Sequence, residues 1–301
     1  MIGYMLNINQ IDSGGKNSFL ITLVVLGLLL IKFENINLKK LNKSIIIISS
    51  IVIIFSIFLF CLGLQLSSDV IVMHQSIMTG IFTNSNQAGL IFLLLLILIL
   101  NTSRKYSKIT ISISALLVIS IVFTLSRASI IAMVILLFYF LIKNKKLLIV
   151  AFASILIFFI SNSYVSNKLI SKFTEQGSSH RTEIWSSIVS ERTNSLENFF
   201  FGTGSNTTYF ILDGGKLSAH SSIVNTFGNF GFIYLALIST FVLLILIYIR
   251  SNRLMMFSIL AIIFNGFFET TLYSGAHFAW FTLLFLYSIK REIKKEKICI
   301  Y

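Results

Sequence analysis

Arg127 stands in the segment FTLSRASII, between two apolar runs. An ionisable side chain at membrane depth is expensive, by roughly 2.5–3.5 kcal/mol at a helix centre on insertion scales. The run that follows, to Lys143, offers only about 15 residues, or about 22 Å of helix at 1.5 Å per residue. A bilayer core is about 30 Å thick. Arg127 therefore belongs near one membrane face. As an anchor, its guanidinium would snorkel to the headgroups. As a functional group, its planar fork would donate two parallel hydrogen bonds to a lipid-linked phosphate.

A second set of polar residues surrounds a long loop. SSHRTEIW supplies His180, Arg181, Glu183 and Trp185, and Arg192 closes the same stretch. Its bland reading is a solvated helix start. The loop ends in LSAHSSIVNTFGNFGFIYL, where His220 precedes an apolar run. Histidine exchanges a proton near neutral pH, although a lone His at a helix start is more often a polar cap. Gly228 and Gly231 would let a helix or a sugar approach closely. FFFGTGSNTTYF supplies Gly202 and Gly204, which suit a tight turn and are weak signals for phosphate binding.

Two more polar groups flank apolar runs. GIFTNSNQAGL puts Asn84, Asn86 and Gln87 at the entrance to one, and FNGFFETTLYSGAHFAW puts Glu269 at the end of another, near His277. An acid at a span's edge is a functional candidate. Pairing with an arginine inside a bundle would explain it equally well.

These residues are positioned by a membrane scaffold. Hydrophobic residues make up 56% of the chain and charged ones 12%, against roughly 25% charged in soluble domains. So apolar a chain needs lipid as solvent. Apolar runs recur at about 18–33, 44–66, 87–101, 109–125, 128–142, 147–163, 223–249, 254–269 and 277–289. Without alternation they are helices and not barrel strands. The expected fold is an all-α polytopic membrane protein of about nine transmembrane helices. Residues 1–163 would hold about six of them, 164–222 an ordered loop, and 223–301 about three more with a basic tail.

Every second link is basic. Lys32, Lys39, Lys40 and Lys43 fall in the first, Arg104, Lys105 and Lys108 in the third, and Lys143, Lys145 and Lys146 in the fifth. Arg250 and Arg253 fall in the seventh, and Lys290, Arg291, Lys294, Lys295 and Lys297 in the tail. The positive-inside rule puts these in the cytoplasm, leaving the N-terminus and the 164–222 loop outside. The loop is too aromatic for disorder, with Trp185, Phe199, Phe200, Phe201, Tyr209 and Phe210. Ile184, Trp185, Ile188 and Val189 share one side of a helix over 181–192.

The net charge of +13 would suggest nucleic acid in a soluble protein, but here the cations are topology signals, and no nucleic-acid-binding motif accompanies them. Cys61 in an apolar run and Cys299 in the tail predict neither a disulfide nor a metal site. No removable signal peptide is expected, and no internal repeat of the kind seen in secondary transporters is visible.

The order of these motifs resembles the O-antigen ligase and polymerase superfamily, which includes the Wzy-type polymerases. Ser126 and Arg127 open a mid-chain span; Arg181 and Trp185 follow in a large outer loop; then come Gly202 and Gly204, then His220 and Gly231. FTNSN resembles the family's Asn-Pro-Asn element, with Ser85 where proline is usual. Ser221 stands where the family often has Asn, and no proline precedes the Gly-rich turn. Fewer spans precede the Asn-rich element than members usually carry. The likeness covers roughly residues 74–289.

The resemblance implies a GT-C-like glycosyltransferase of the bacterial inner or plasma membrane, without a nucleotide-sugar donor, cofactor or metal. It implies polymerisation of undecaprenyl-diphosphate-linked repeat units into capsular, exo- or O-antigen polysaccharide on the outer face. Arg127 and Arg181 would steady the departing diphosphate, and His220 would be the base, ahead of Glu269 or Glu183. Asn86, Glu183, Trp185, Arg192, Gly202, Gly204 and Glu269 would line the substrate site. A flippase and a chain-length regulator are the partners such a role suggests. A ligase moving finished glycan to another acceptor, a polysaccharide flippase and an inactive scaffold stand as alternatives. The flippase fits least well, because transporters carry polar or broken helices at the midplane, whereas the polar residues here gather at span ends.

Overall fold

The computed structural model describes residues 38–62, 64–66, 71–73, 77–80, 82, 84–103, 107–143, 181–203, 209–212, 215–269, 282–283 and 286. The apolar runs 18–33 and 147–163, most of 277–289, and His180, Gly204, His277 and Cys299 lie outside the described residues.

Eight helices and two short hairpins are described. The helices are α1 (Leu38–Cys61), α2 (Ser85–Thr102), α3 (Lys108–Phe123), α4 (Arg127–Lys143), α5 (Arg181–Thr193), α6 (Leu196–Phe201), α7 (Ser222–Ile249) and α8 (Arg253–Phe268). Strands β1 (Leu64–Leu66) and β2 (Ile71–Met73) form one antiparallel pair, and β3 (Tyr209–Leu212) and β4 (Gly215–Ser218) the other. The described residues are thus predominantly helical, as expected of an all-α membrane protein, with these two short hairpins added. One falls where the run 44–66 was expected to be a single helix: α1 stops at Cys61 and Leu64 opens a strand. Gly63 follows in the sequence, and glycine is the residue type that most favours ending a helix.

Among the described residues, Lys40–Cys61, Ser85–Thr102 and Ser222–Ile249 are long and apolar enough to cross a membrane; Lys108–Phe123, Arg127–Tyr139 and Arg253–Phe268 are shorter apolar helices. The burial pattern fits lipid as solvent. On α1, Ile47, Ile51, Ile54 and Phe58 form an exposed stripe at helical spacing, while Ser49 and Ser56 are buried on the other side. In water that arrangement would be inverted.

The described residues fall in two compact units. One draws on Phe33–Gln176 and Ile249–Asn265, the other on Gly177–Tyr248 and Gly266–Leu284. In the first, α2 is the core: Ala88, Phe92, Leu93, Leu96, Ile97 and Ile99 are almost wholly buried. Asn84 caps α2 by accepting from the Asn86 N–H at 2.8 Å, and Ser107 caps α3 by accepting from the Thr110 N–H at 3.2 Å. Helix α8 joins this bundle through polar and aromatic contacts. Asn101 Nδ2 donates to Ser258 Oγ at 2.8 Å, and the Phe257 ring lies 6.3 Å from Phe138 and 6.2 Å from Tyr139.

In the second unit α5 packs on the start of α7. Ile184 and Ile188 are buried with Ala219, and Trp185 and Val224 close over them. The amphipathic reading of 181–192 therefore holds for Ile184, Trp185 and Ile188, whereas Val189 is exposed. Helix α7 is not continuous: Gly231 at φ 75° breaks it. The uninterrupted part after Gly231 has 18 residues, 232–249, about 27 Å of helix.

Candidate functional site

Within the second unit the end of α8 meets the start of α7, and three of the expected site residues gather there. The last carbonyls of a helix lack internal partners, and a cation near them is favourable. Arg181 meets that need: Nη1 donates to the Phe268 carbonyl at 2.7 Å. Its Nη2 donates to Glu269 Oε1 at 3.3 Å. Both hydrogen bonds come from one planar fork, which a lysine could not reproduce. The Glu269 backbone carbonyl accepts from the start of α7, from the Ser222 N–H at 3.1 Å and from Ser222 Oγ at 2.9 Å.

His220 faces the same carboxylate, with Nδ1 3.9 Å from Glu269 Oε2. Its side chain is 46% exposed, against 13% for Glu269, so the imidazole is the member of the group most open to a substrate. Its backbone lies at φ 45°, a left-handed conformation uncommon outside glycine, though His is among the residues enriched there. Both neighbours are tied down. Trp185 Nε1 donates to the Ala219 carbonyl at 2.6 Å. Ser221 is buried and caps α7 by accepting from the Val224 N–H at 3.4 Å.

A second constellation holds the loop against the break in α7. Gly202 lies at φ 70° and Gly231 at φ 75°. A Cβ on Gly202 would run into the backbone of Asn229 and Gly231, and one on Gly231 into the backbone of Phe200 and Phe201. The two glycines thus permit direct backbone packing between the end of α6 and the break. Phe199 grips both sides of it, stacked on Phe232 at 5.5 Å and edge-on to Phe227 at 5.8 Å. Arg192 is 2% exposed, and its Nε donates to the Gly228 carbonyl at 3.0 Å. That carbonyl also accepts from the Thr203 N–H at 3.4 Å, so a helix end left unsatisfied by the break finds two donors. Arg192 Nη1 pairs with the exposed Glu191 at 2.9 Å. Glu183 lies exposed in the first turn of α5, where an acid favours the helix start.

Arg127 and Asn86 lie in the other unit. Arg127 is the first residue of α4 and partly buried, just after the turn Thr124–Leu125–Ser126. Leu125 adopts φ 52° in that turn. Gly89 of α2 lets the turn dock, since a Cβ there would fall 2.8 Å from Ser129 Oγ and 2.9 Å from Thr124 Oγ1. Ser126 Oγ donates to Ser129 Oγ at 3.1 Å, and Asn265 Nδ2 of α8 donates to the same Ser129 oxygen at 3.1 Å. Arg127 therefore stands beside a buried polar patch at one end of the bundle. Asn86 lies in the first turn of α2, one turn before Gly89, at that same end.

Sequence reading did not foresee Ser222, Ser129 or Asn265. Ser129 and Asn265 are buried polar residues within apolar runs and Ser222 is one at the edge of a run, which is the signal that could have found them. Among the described residues no group of three His, Cys, Asp or Glu could hold a metal ion.

Comparison with known proteins bears on this site. Residues 112–239 match the family described as O-antigen ligase. The match supports the resemblance to the O-antigen ligase and polymerase superfamily. The matched stretch is narrower than the motif likeness; it includes Arg127, Arg181, Trp185, Arg192, Gly202 and His220 and stops short of Glu269. No curated protein and no solved structure matches the chain.

Proposed function

We propose that this membrane protein, whose residues 112–239 match the O-antigen ligase family, polymerises undecaprenyl-diphosphate-linked oligosaccharide repeat units on the outer face of a bacterial inner or plasma membrane. About nine spans in a GT-C-like arrangement belong to the same reading. The observation that carries it is the grouping of Arg181, Glu269 and His220 at the ends of two apolar helices. A cation, an acid and an exposed imidazole sit at a helix end, where a lipid-anchored diphosphate would meet water.

In the reaction, an acceptor hydroxyl oxygen attacks the anomeric carbon of the lipid-linked glycan. A new carbon–oxygen bond forms, the bond to the diphosphate breaks, and its electron pair leaves with the lipid diphosphate. His220 takes the hydroxyl proton as general base, a role worth roughly 10²–10⁴-fold in rate. Negative charge grows on the leaving group, and fixed guanidinium groups stabilise it there. Arg181 is assigned that task, and Arg127 is a separate candidate for it that the resemblance implies. With arginines to neutralise the diphosphate, the reaction requires no metal. Trp185 holds the Ala219 carbonyl beside His220, and Asn86, Glu183, Trp185, Arg192, Gly202, Gly204 and Glu269 are the substrate-binding candidates that the resemblance implies.

The second reading is a ligase, favoured by the description of the matched family. Its chemistry is identical and only the acceptor differs. Cells producing a His220→Ala chain separate the readings. A polymerase defect leaves single repeat units on the lipid, reachable outside by lectin or periodate. A ligase defect leaves long polymer on the lipid. Single units trapped inside would mean translocation and would overturn glycosyl transfer.

A further inference from the structure

We infer that Glu269 is a positioning residue for His220: its carboxylate, held on one oxygen by Arg181, fixes the imidazole tautomer that can accept the acceptor's proton. The inference rests on the glycosyl transfer proposed above and assigns work to a residue outside the matched family stretch.

The two carboxylate oxygens are differently engaged. Oε1 accepts from Arg181 Nη2 at 3.3 Å, while Oε2 faces His220 Nδ1 at 3.9 Å. Arg181 is itself fixed, because its other terminal nitrogen is bonded to the Phe268 carbonyl at 2.7 Å. The backbones that carry the pair are joined as well. The Glu269 carbonyl is bonded to both donors of Ser222, two residues beyond His220. On the other side Trp185 holds the residue before it, through the Ala219 carbonyl. Neither partner can drift from the other without breaking several of these bonds.

A distance of 3.9 Å is an ion-pair separation and not a hydrogen bond. Catalytic hydrogen bonds are often long without substrate and tighten when it binds. A half-exposed imidazole needs only a small rotation to close the gap. A neutral imidazole that donates Nδ1–H to a carboxylate carries its lone pair on Nε2. During transfer the acceptor O–H bond breaks and a new N–H bond forms at Nε2. The positive charge on the resulting imidazolium is then balanced by Glu269. The electron pair of the cleaved glycosidic bond leaves with the lipid diphosphate, as before. Afterwards the Nε2 proton passes to water or to the departing diphosphate, restoring the base.

The test uses the full-length chain in liposomes with a lipid-linked repeat unit as the probe. It compares Glu269→Gln, Glu269→Asp, His220→Ala and the Glu269→Gln/His220→Ala double variant. Glutamine retains an oxygen for Arg181 but can present its amide N–H₂ to Nδ1, which selects the wrong tautomer. Glu269→Gln is expected to lower kcat about 10²–10⁴-fold with KM little changed. The double variant should be no slower than His220→Ala alone, since the carboxylate acts only through the imidazole. Glu269→Asp, which keeps the carboxylate, should recover part of the loss. A Glu269→Gln chain with unchanged kcat, or losses that multiply in the double variant, would overturn the inference while leaving His220 as base. If Glu269→Gln fails to fold, a Glu269→Asp chain no faster than His220→Ala would overturn it too. A fully active His220→Ala chain would instead remove the base itself, and this inference with it.

Discussion

The Arg181 guanidinium and the Glu269 carboxylate, 88 positions apart in the chain, meet at 3.3 Å, with side chains only 19% and 13% exposed. Exposed ion pairs contribute little to stability. This one is sheltered, and Arg181 also caps the end of α8 through the Phe268 carbonyl. One side chain therefore organises both a helix end and the acid that faces His220.

Replacing that fork is the first prediction. Arg181→Lys retains the positive charge but offers a single ammonium where two diverging donors are required. The variant should insert at the normal level and lose most chain growth, at least tenfold on a gel of lipid-linked polymer. Wild-type chain lengths would mean that charge alone suffices at this position.

Arg127 is separable by the same logic. A snorkelling anchor works as well with lysine, whereas a bidentate phosphate contact does not. Polymer yield from Arg127→Lys should fall sharply at unchanged protein level. Full yield would identify Arg127 as an anchor at the start of α4.

The glycine contact at the α7 break makes a prediction about stability. Gly231→Ala places a methyl group against the Phe200 carbonyl at φ 75°. Strained backbone of this kind costs about 1–3 kcal/mol before the clash is counted. The purified variant should melt several degrees lower in detergent. By contrast Ser221→Asn should melt like the parent, and Ser221→Ala should lose about 0.5–2 kcal/mol with the cap. Equal melting of all three variants and the parent would contradict the packing described for α7.

Much of this organisation was legible in the sequence. Composition and apolar runs specified a membrane protein, because lipid rewards exposed Ile and Phe such as those striping α1. The amphipathic spacing of Ile184, Trp185 and Ile188 identified α5 and its buried side. The pairing of Glu269 with an arginine was one of two readings, but which arginine was not legible, since the contact joins segments far apart in the chain. The break at Gly231 was not legible, because it goes with a close backbone approach to α6, a segment separate in the sequence. Arg192, a substrate-site candidate by the resemblance, is buried with its Nε on the Gly228 carbonyl beside the break. The hairpins escaped for another reason: Leu64–Leu66 is apolar enough to extend a helical run, and three residues carry too little periodicity to show a strand.

Orientation rests on the alternation of basic links. With Cys61 and Cys299 replaced, a single cysteine at Ser178 should react with a membrane-impermeant maleimide in intact cells. One at Asn144 should react only after permeabilisation. The reverse pattern would place the loop in the cytoplasm and remove it from a glycan presented outside.

The central claim is that His220 activates an acceptor hydroxyl for transfer from a lipid diphosphate. Its most direct test is reconstitution of the full chain with purified lipid-linked repeat units, following chain length and released undecaprenyl diphosphate together. The account predicts one diphosphate released per unit added, and a His220→Ala chain slower by about 10²–10⁴-fold at equal protein level. Chain growth at the parental rate without His220, or no diphosphate release by the parent chain, would contradict it.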